Sequence, residues 1–218
     1  MASHEFRTPL STILSSAYLV SKYQTGEEQP KRDKHIQRIV SSVNMLTDIL
    51  NDFLSVGKIE EGRIQVRPSP IITRPWMELV VSELETVMRP GQHIRYVHEG
   101  DDEITLDPSL LKHIVQNLVS NAIKFSDDGA TIELHTSLHR GTFILSVSDK
   151  GIGIPLEDQQ HLFERFFRGG NVENIQGTGL GLHIVDKYAS LMHGTVKCNS
   201  IPGEGTTFTV TLKPQNAD

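Results

Sequence analysis

The stretch DPSLLKHIVQNLVSNAIKF, residues 107–125, carries the clearest structural signal in this chain. Asp107 suits the N-cap of a helix, and Pro108 suits the first helical position because an N–H there would have no partner. Apolar residues such as Ile114 and Leu118 recur at three- and four-residue steps. The stretch therefore predicts a largely buried helix that ends at its last residue.

Three polar residues of this helix fall on one side of it, at positions i, i+4 and i+7: Asn117, Asn121 and Lys124. Carboxamide oxygens can help to hold Mg²⁺, which takes oxygen ligands and often bridges phosphates. A lysine beside them supplies a positive charge for a phosphate. A solvated helix face could carry the same residues, so the spacing alone leaves both interpretations open.

Two glycine-rich segments follow, DKGIGIP at residues 149–155 and GTGLGL at residues 177–182. Glycines let backbone N–H groups approach phosphate oxygens, and the second segment leads into a predicted helix whose N-terminal dipole favours anions. Neither segment is a P-loop, since no Gly-Lys-Ser/Thr follows, and no parallel βαβ pattern indicates a Rossmann unit. The second segment thus has the right context for phosphate binding, but most glycine-rich segments are only turns, so both interpretations stay open.

From about residue 70 the chain mixes helical and strand patterns, and an antiparallel sheet with helices on one face is the simplest architecture. Helices are predicted over residues 75–88, 108–125 and 179–192. Strands are predicted over residues 93–98, 104–106, 131–138, 142–148, 196–199 and 206–212.

The first 57 residues predict a helical hairpin, with a polar loop at residues 25–30 that contains Gly and Pro. Each helix has only one apolar stripe, and two such helices cannot close a core. A two-fold dimer that forms a four-helix bundle would cover the stripes. The alternative is that the hairpin packs on the rest of its own chain. The stripes comprise Phe6, Leu10, Ile13, Ala17, Val20, Ile36, Val40, Val43, Leu46, Leu50 and Phe53.

Residues 58–70 then predict a linker, with a short strand near Ile64 and Val66.

Composition excludes several classes of protein. The 218 residues are 37% hydrophobic and carry a net charge of −6, which disfavours broad binding to nucleic acid or anionic membranes. The single cysteine, Cys198, excludes an internal disulfide framework and a cysteine zinc cluster. No apolar run reaches the roughly 20 residues of a membrane span.

With these segments in this order, the chain resembles a two-component sensor histidine kinase over nearly its whole length. SHEFRTPL (residues 3–10) is similar to the family's H-box, and QNLVSNAIKF (116–125) to its N-box. Residues 149–155 resemble the G1 box, FERFFR (163–168) the F box, and residues 177–182 the G2 box. Five such matches in the family's order and approximate spacing make a chance match very improbable.

The resemblance implies an α+β chain of two domains. Residues 1–57 would form the antiparallel helical hairpin for dimerisation and histidine phosphotransfer, which becomes a four-helix bundle in the dimer. Residues 58–70 would be a linker, and residues 71–215 an ATP-binding catalytic domain with a Bergerat-type α/β sandwich.

On the hairpin, the resemblance makes His4 the phosphoacceptor and Glu5 the base that prepares its imidazole. A neutral imidazole is a good nucleophile near neutral pH, and an adjacent carboxylate orients it. Thr8, one turn on, occupies the position that helps to position water in relatives that dephosphorylate their partner. Pro9 should bend the helix near this site.

In the catalytic domain, the resemblance implies ATP as the nucleotide and Mg²⁺ as the metal, with Asn121 and Asn117 on the metal. Lys124 would contact phosphates, and Arg168 would stabilise charge on the transferring γ-phosphate. A lid would run from about residue 168 to residue 176. Phe125 would lie against the adenine, and Asp149 would accept the adenine amino hydrogen bond with Thr206 or Thr207 nearby. The other nucleotide-binding positions would be Gly151, Gly153, Ile154, Gly177, Thr178, Gly179, Leu180 and Gly181.

The function implied is autophosphorylation on His4 and transfer of the phosphoryl group to an aspartate of a response regulator receiver domain, with phosphatase activity as a further option. The partners expected are that receiver domain and a second copy of this chain, without nucleic acid or membrane contact in this stretch. His4 lies almost at the N-terminus, where relatives have preceding helix. We therefore expect a cytoplasmic core of a longer, membrane-anchored or soluble, sensor kinase, with a weaker dimer and a less ordered phosphoacceptor.

Two alternatives remain at this point. ATPases of the gyrase and heat-shock chaperone types share the nucleotide fold, but they lack a segment like residues 3–10. A nucleotide-binding dimeric scaffold or phosphatase for a response regulator, without kinase turnover, would keep every motif.

Overall fold

A computed structural model describes residues 2–23, 25–170 and 177–213. Residues 214 and 215, the predicted end of the catalytic domain, lie outside the described residues. The helices are α1 (Ala2–Lys22), α2 (Gln29–Glu60), α3 (Thr73–Glu85), α4 (Pro108–Phe125), α5 (Leu156–Gln159) and α6 (Gly181–Leu191). The strands are β1 (Ser69–Ile72), β2 (His93–Gly100), β3 (Glu103–Leu106), β4 (Thr131–His139), β5 (Thr142–Asp149), β6 (Thr195–Ile201) and β7 (Gly205–Leu212).

The predicted helical hairpin is confirmed, because α1 and α2 pack along each other and are joined by a short turn at Gly26–Glu28. Its inner seam contains the buried residues Ser16, His35, Ser42 and Ile49. The second helix continues to Glu60, three residues beyond the predicted end of the hairpin.

Part of the apolar stripe of the hairpin lies outside this seam, together with the neighbouring Leu14. Leu10 and Leu50 remain 54% and 51% exposed, and Leu14, Val40 and Val43 are also exposed. Exposed apolar side chains along two neighbouring helices form a contiguous surface that a partner could cover. At its base the hairpin also packs on the rest of the chain, where the Phe53 ring lies 6.0 Å from that of Phe166.

The second part of the chain, called the sandwich below, is built on a five-stranded sheet of order β2-β4-β5-β7-β6. A two-stranded antiparallel sheet, β1-β3, lies beside it. The prediction of a wholly antiparallel sheet is wrong at one pair, since β2 and β4 are parallel. The crossover between them includes α4, and a crossover of that length allows parallel pairing.

The helices cover one face of the five-stranded sheet, as predicted. Alternate residues of β5 such as Phe143 and Leu145 are fully buried, while those between them are only half-buried. The buried side chains meet α4 through Ile114 and Leu118, which have no more than 1% exposure. The sandwich therefore has one closed core, with α4 at its centre.

The predicted start and end of α4 are confirmed. The Asp107 Oδ1 atom accepts hydrogen bonds from the N–H groups of Ser109 and Leu110, and its Oδ2 atom accepts one from Arg67 N–H at 2.7 Å. The cap therefore also fixes the segment between hairpin and sandwich.

Several other predicted elements or boundaries are wrong, including the three that follow. No strand forms at Ile64 and Val66, whose side chains instead pack against the core, and the first strand is Ser69–Ile72. The helix α3 ends at Glu85 rather than residue 88. The helix α6 begins at Gly181 because Gly179 has a φ of 67°, in the left-handed region that a right-handed helix cannot contain.

Candidate nucleotide and phosphotransfer site

A cavity of about 360 Å³ opens between α4, the two glycine-rich segments and the second helix of the hairpin. Most of the site residues expected from the sequence line it together. These are Glu5, Asn117, Asn121, Lys124, Phe125, Asp149, Gly153, Ile154, Arg168, Gly177, Thr178, Gly179, Gly181 and Thr206.

Four other expected residues lie elsewhere. Leu180 is fully buried in the core, and Gly151 contributes its N–H to Asp149 Oδ1 at 2.9 Å behind the cavity wall. Thr8 lies on the exposed side of α1, in a shallow groove with hydroxyl residues such as Ser11 and Thr12. His4 lies in α1, and its side chain is outside what the structure describes.

The helix α4 presents its polar side to the cavity, as the i, i+4, i+7 spacing predicts. The Asn117 amide nitrogen donates to His113 O at 2.9 Å, which leaves the amide oxygen to face the second glycine-rich segment. A Cβ atom at Gly181 would lie 2.6 Å from that oxygen, and one at Gly177 would lie 2.6 Å from Lys124 Nζ. Glycine at both positions keeps the space in front of these polar atoms free.

Lys124 is the main cationic group of α4 at the cavity. Burial first, and the nearby Arg168 cation second, lower the pKa of its amine to about 8, against an opposing effect of Glu5. Its Nζ atom also lies 5.0 Å from the centre of the Phe125 ring, within the range of a cation–π contact. An anion with several negative charges would stabilise the protonated amine.

Asp149, the last residue of strand β5, also lines the cavity. Burial raises the pKa of its carboxyl group, while hydrogen bonds from the N–H groups of Gly151 and Thr206 act in the opposite direction. Thr206 is its register partner on β7. A carboxylate held by two backbone donors is a well-oriented acceptor for an amino group of a ligand.

The second helix of the hairpin supplies part of the cavity wall, and no sequence motif predicts this. Met45, Asp48, Ile49 and Asp52 of α2 line the cavity opposite α4. The only signal in the sequence was that Asp48 and Asp52 are one helical turn apart. Burial is the main reason that the pKa values of both carboxyl groups are raised.

Polar contacts hold the hairpin against the sandwich at this wall. The Thr178 hydroxyl group donates to Asp52 Oδ2 at 2.8 Å, and Arg168 Nη1 lies 2.8 Å from Glu5 Oε1. Arg165, just before it, pairs with Glu60 at the end of α2. The cavity is therefore bounded by both parts of the chain.

The polar groups that line the cavity suit a nucleoside triphosphate with a hard cation. The volume lies within the range of small-molecule sites, and one end offers amide oxygens, an amine and a guanidinium group. Among residues 2–23, 25–170 and 177–213, no group of three or more His, Cys, Asp or Glu could hold a metal ion alone. The amide oxygens of Asn117 and Asn121, together with ligand oxygens, are of the kind that Mg²⁺ accepts.

Within the described part of the chain, no helix combines the length and the apolar character that crossing a membrane requires.

Comparison with known families gives two matches that divide the chain. Residues 1–62 match the His Kinase A (phospho-acceptor) domain, and residues 106–216 match the histidine kinase-, DNA gyrase B- and HSP90-like ATPase. The sensor histidine kinase RcsC of Escherichia coli K12 is 35% identical over 215 residues, covering 96% of this chain. The chain spans 22% of the length of that relative.

Solved structures agree on the fold. The histidine kinase AdeS of Acinetobacter baumannii superposes with a TM-score of 0.75 at 19% identity, covering 98% of both chains. The histidine kinase ThkA, solved in complex with the response regulator protein TrrA, superposes with a TM-score of 0.70 at 21% identity, covering 98% of this chain and 60% of the other. With a phosphoacceptor-domain match followed by a match to the kinase-type ATPase domain, the chain belongs to the sensor histidine kinases, of which it is the hairpin and ATPase core.

Proposed function

We propose that this chain binds MgATP in the cavity and transfers the γ-phosphoryl group to the imidazole of His4. The observation that carries the proposal is the shared cavity: Glu5, which follows His4, lines the same cavity as Lys124, Asn121 and Arg168. A phosphoryl donor in the cavity would thus lie beside the first turns of α1. Phosphoryl transfer depends mainly on positioning and on electrostatic stabilisation, which this arrangement supplies.

Two ends of the cavity would bind two ends of the nucleotide. Asp149 would accept the adenine amino hydrogen bond, supported by its two backbone donors, with Phe125 and Ile154 as apolar walls. Lys124 would bind phosphate oxygens from the other end. The N–H groups of residues 177–181 would add donors next to the start of α6.

Asn121 and Asn117 would hold Mg²⁺ through their amide oxygens. When bound, Mg²⁺ neutralises phosphate charge, which matters in a cavity that also contains the carboxylates of Glu5, Asp48 and Asp52.

In the transfer step, a nitrogen of His4 forms a bond to the γ-phosphorus while the bond from that phosphorus to the bridging oxygen breaks, and ADP leaves. Glu5 would orient the imidazole and take up its proton. Arg168, whose guanidinium group pairs with Glu5 and lines the cavity, would stabilise the charge on the γ-phosphoryl oxygens.

Two partners are proposed. The exposed stripe of the hairpin would be buried against a second copy of this chain, since a four-helix bundle would cover Leu10, Leu14 and Leu50. The receiver domain of a response regulator would then take the phosphoryl group from His4 onto an aspartate. The ThkA complex with a response regulator supports this partner class by fold. Thr8 would position water for the phosphatase reaction, in which water hydrolyses the aspartyl phosphate of the response regulator and phosphate is released.

We further propose that the chain is the cytoplasmic core of a longer sensor kinase, because RcsC continues well beyond the matched region. The function is tested by incubating the chain with Mg²⁺ and γ-labelled ATP and then adding a panel of receiver domains. Label should appear on the chain and move to one receiver. ATP binding without label would instead support the scaffold or phosphatase alternative.

A further inference from the structure

The carbonyl end of α4 is held by side chains from outside the helix. Lys124 and Phe125 are its last two residues, and the last four carbonyl groups of a helix have no partner within it. Here only the first of these groups is paired locally, since Ser126 N–H donates to Ala122 O at 3.2 Å.

The side chain of Gln92, the residue directly before β2, contacts the carbonyl end of α4. Its side chain is part of the protein interior, with the residue only 8% exposed. The amide nitrogen donates to Ile123 O at 3.1 Å and to Asp127 O at 3.0 Å. The amide oxygen accepts Arg89 N–H at 3.1 Å, which fixes the orientation of the amide.

The guanidinium group of Arg89 binds two further carbonyl groups, those of Lys124 and Ser126. Its Nη2 atom donates to Lys124 O at 2.9 Å and its Nη1 atom donates to Ser126 O at 3.1 Å. The guanidinium charge also lies at the negative end of the helix dipole. The remaining carbonyl, that of Phe125, accepts Ile152 N–H from the first glycine-rich segment at 3.3 Å.

Every carbonyl from residue 123 to residue 126 thus has a partner, and two side chains supply most of the donors. The loop that carries them is itself fixed, because Gly129 N–H donates to Pro90 O at 3.0 Å. The last turn of α4 is therefore anchored at its backbone, while the side chains of Lys124 and Phe125 extend into the cavity.

We propose that Arg89 and Gln92 are positioning residues for nucleotide binding. Their hydrogen bonds fix the backbone of the last turn of α4. The Lys124 amine and the Phe125 ring are thereby placed to contact the nucleotide. This rests on the nucleotide-binding roles proposed above for Lys124 and Phe125. Arg89 and Gln92 themselves do not line the cavity, so their effect must pass through the backbone of α4.

The test uses the whole chain with Arg89→Met, Gln92→Met and Arg89→Lys. The matched control is Arg95→Met, which removes an exposed arginine of β2 that pairs with Glu133 at 2.7 Å. Calorimetry gives the Kd for ATP, autophosphorylation gives KM and kcat, and thermal unfolding without nucleotide gives the Tm.

We expect Arg89→Met and Gln92→Met to raise the Kd and KM for ATP about tenfold, because they displace groups that bind the ground state of the substrate. The kcat at saturating ATP should change much less. Arg89→Lys should recover part of the affinity, since an amine can still reach one carbonyl group. Arg95→Met should leave the Kd unchanged.

A fall in Tm with the Kd and KM for ATP unchanged would overturn the inference, because the two residues would then only stabilise the fold. If Gln92→Met does not fold, the variants of the exposed Arg89 still decide the outcome.

Lys124→Met separates this inference from the function on which it rests. Weaker ATP binding in Lys124→Met with normal binding in Arg89→Met would contradict only the inference, whereas normal binding in both would contradict the proposed role of Lys124 as well.

Discussion

The Glu5 carboxylate lies 2.8 Å from the Arg168 guanidinium group, so the residue after His4 is tied directly to the first residue of the proposed lid. Residues 171–176 of that lid lie outside the described residues. Both side chains are largely buried, at 21% and 23% exposure. The same pair borders the cavity that also contains Lys124. The proposed function gives this guanidinium group a second partner, the γ-phosphate of ATP.

From this pair we predict that Arg168→Met lowers the autophosphorylation rate at saturating ATP about a hundredfold, with a smaller effect on the Kd for ATP. The reason is that a guanidinium group stabilises charge that develops in the transition state. Rapid-quench kinetics measure the rate. Arg165→Met is the control, since Arg165 pairs with Glu60 at the same contact between hairpin and sandwich but does not line the cavity. Equal losses of rate in the two variants would show that weaker packing of the hairpin on the sandwich, and not the loss of a positive charge at the cavity, explains the lower rate.

The pKa of Lys124, lowered to about 8, predicts a pH dependence of ATP binding. Below this value the amine is protonated and can bind phosphate, whereas above it the free protein loses that charge. The Kd for ATP should therefore rise with pH above about 8, by at most tenfold per pH unit for one linked proton.

Calorimetry between pH 7 and pH 9.5 measures this dependence. Lys124→Arg is the control, because a guanidinium group stays charged throughout that range. A wild-type profile as flat as that of Lys124→Arg would contradict the assignment.

Asp149→Asn should weaken ATP binding at least tenfold. The carboxylate, which only accepts hydrogen bonds, is replaced by an amide that has one acceptor oxygen and one donor NH₂ group, so the adenine amino group loses its acceptor. The loss should be smaller for GTP, which has no amino group at that position of the ring. Competition between the two nucleotides against a fluorescent ATP analogue gives both constants. Asp128→Asn, in an exposed turn, controls for the loss of one negative charge. An unchanged preference for ATP would argue against the role of Asp149.

How much of this could be predicted from the sequence depends on how local the interactions are. The helix α4 was predicted with both ends, because Asp107, Pro108 and the apolar period all act within a few residues. Its polar side was predicted for the same reason, since Asn117, Asn121 and Lys124 share one helix face whatever the rest of the chain does.

The missed features depend on contacts between distant segments. The parallel pairing of β2 with β4 is set by the crossover between them, which leaves no mark in either strand. Asp48 and Asp52 reach the cavity only because the hairpin packs on the sandwich. Gln92 caps a helix that ends 33 residues later, and no sequence motif connects the two.

The exposed stripe of the hairpin predicts a dimer that dissociates when a charged side chain is introduced into its interface. Leu14→Glu or Leu50→Glu should shift the chain from dimer to monomer, because each places a carboxylate in an apolar interface. Light scattering coupled to gel filtration measures the mass. Leu79→Glu, on the exposed side of α3 in the sandwich, should leave the dimer intact. A monomeric wild-type chain at all concentrations would contradict the proposed bundle.

The central claim is that His4 receives the γ-phosphoryl group of ATP. It is tested most directly by incubating the chain with Mg²⁺ and γ-labelled ATP, beside His4→Gln and the control His139→Gln, which changes an exposed histidine at the end of β4. The account predicts acid-labile, base-stable label on the wild type and on His139→Gln, and none on His4→Gln. Label that persists on His4→Gln, or no label on a wild-type chain that binds ATP, would contradict it.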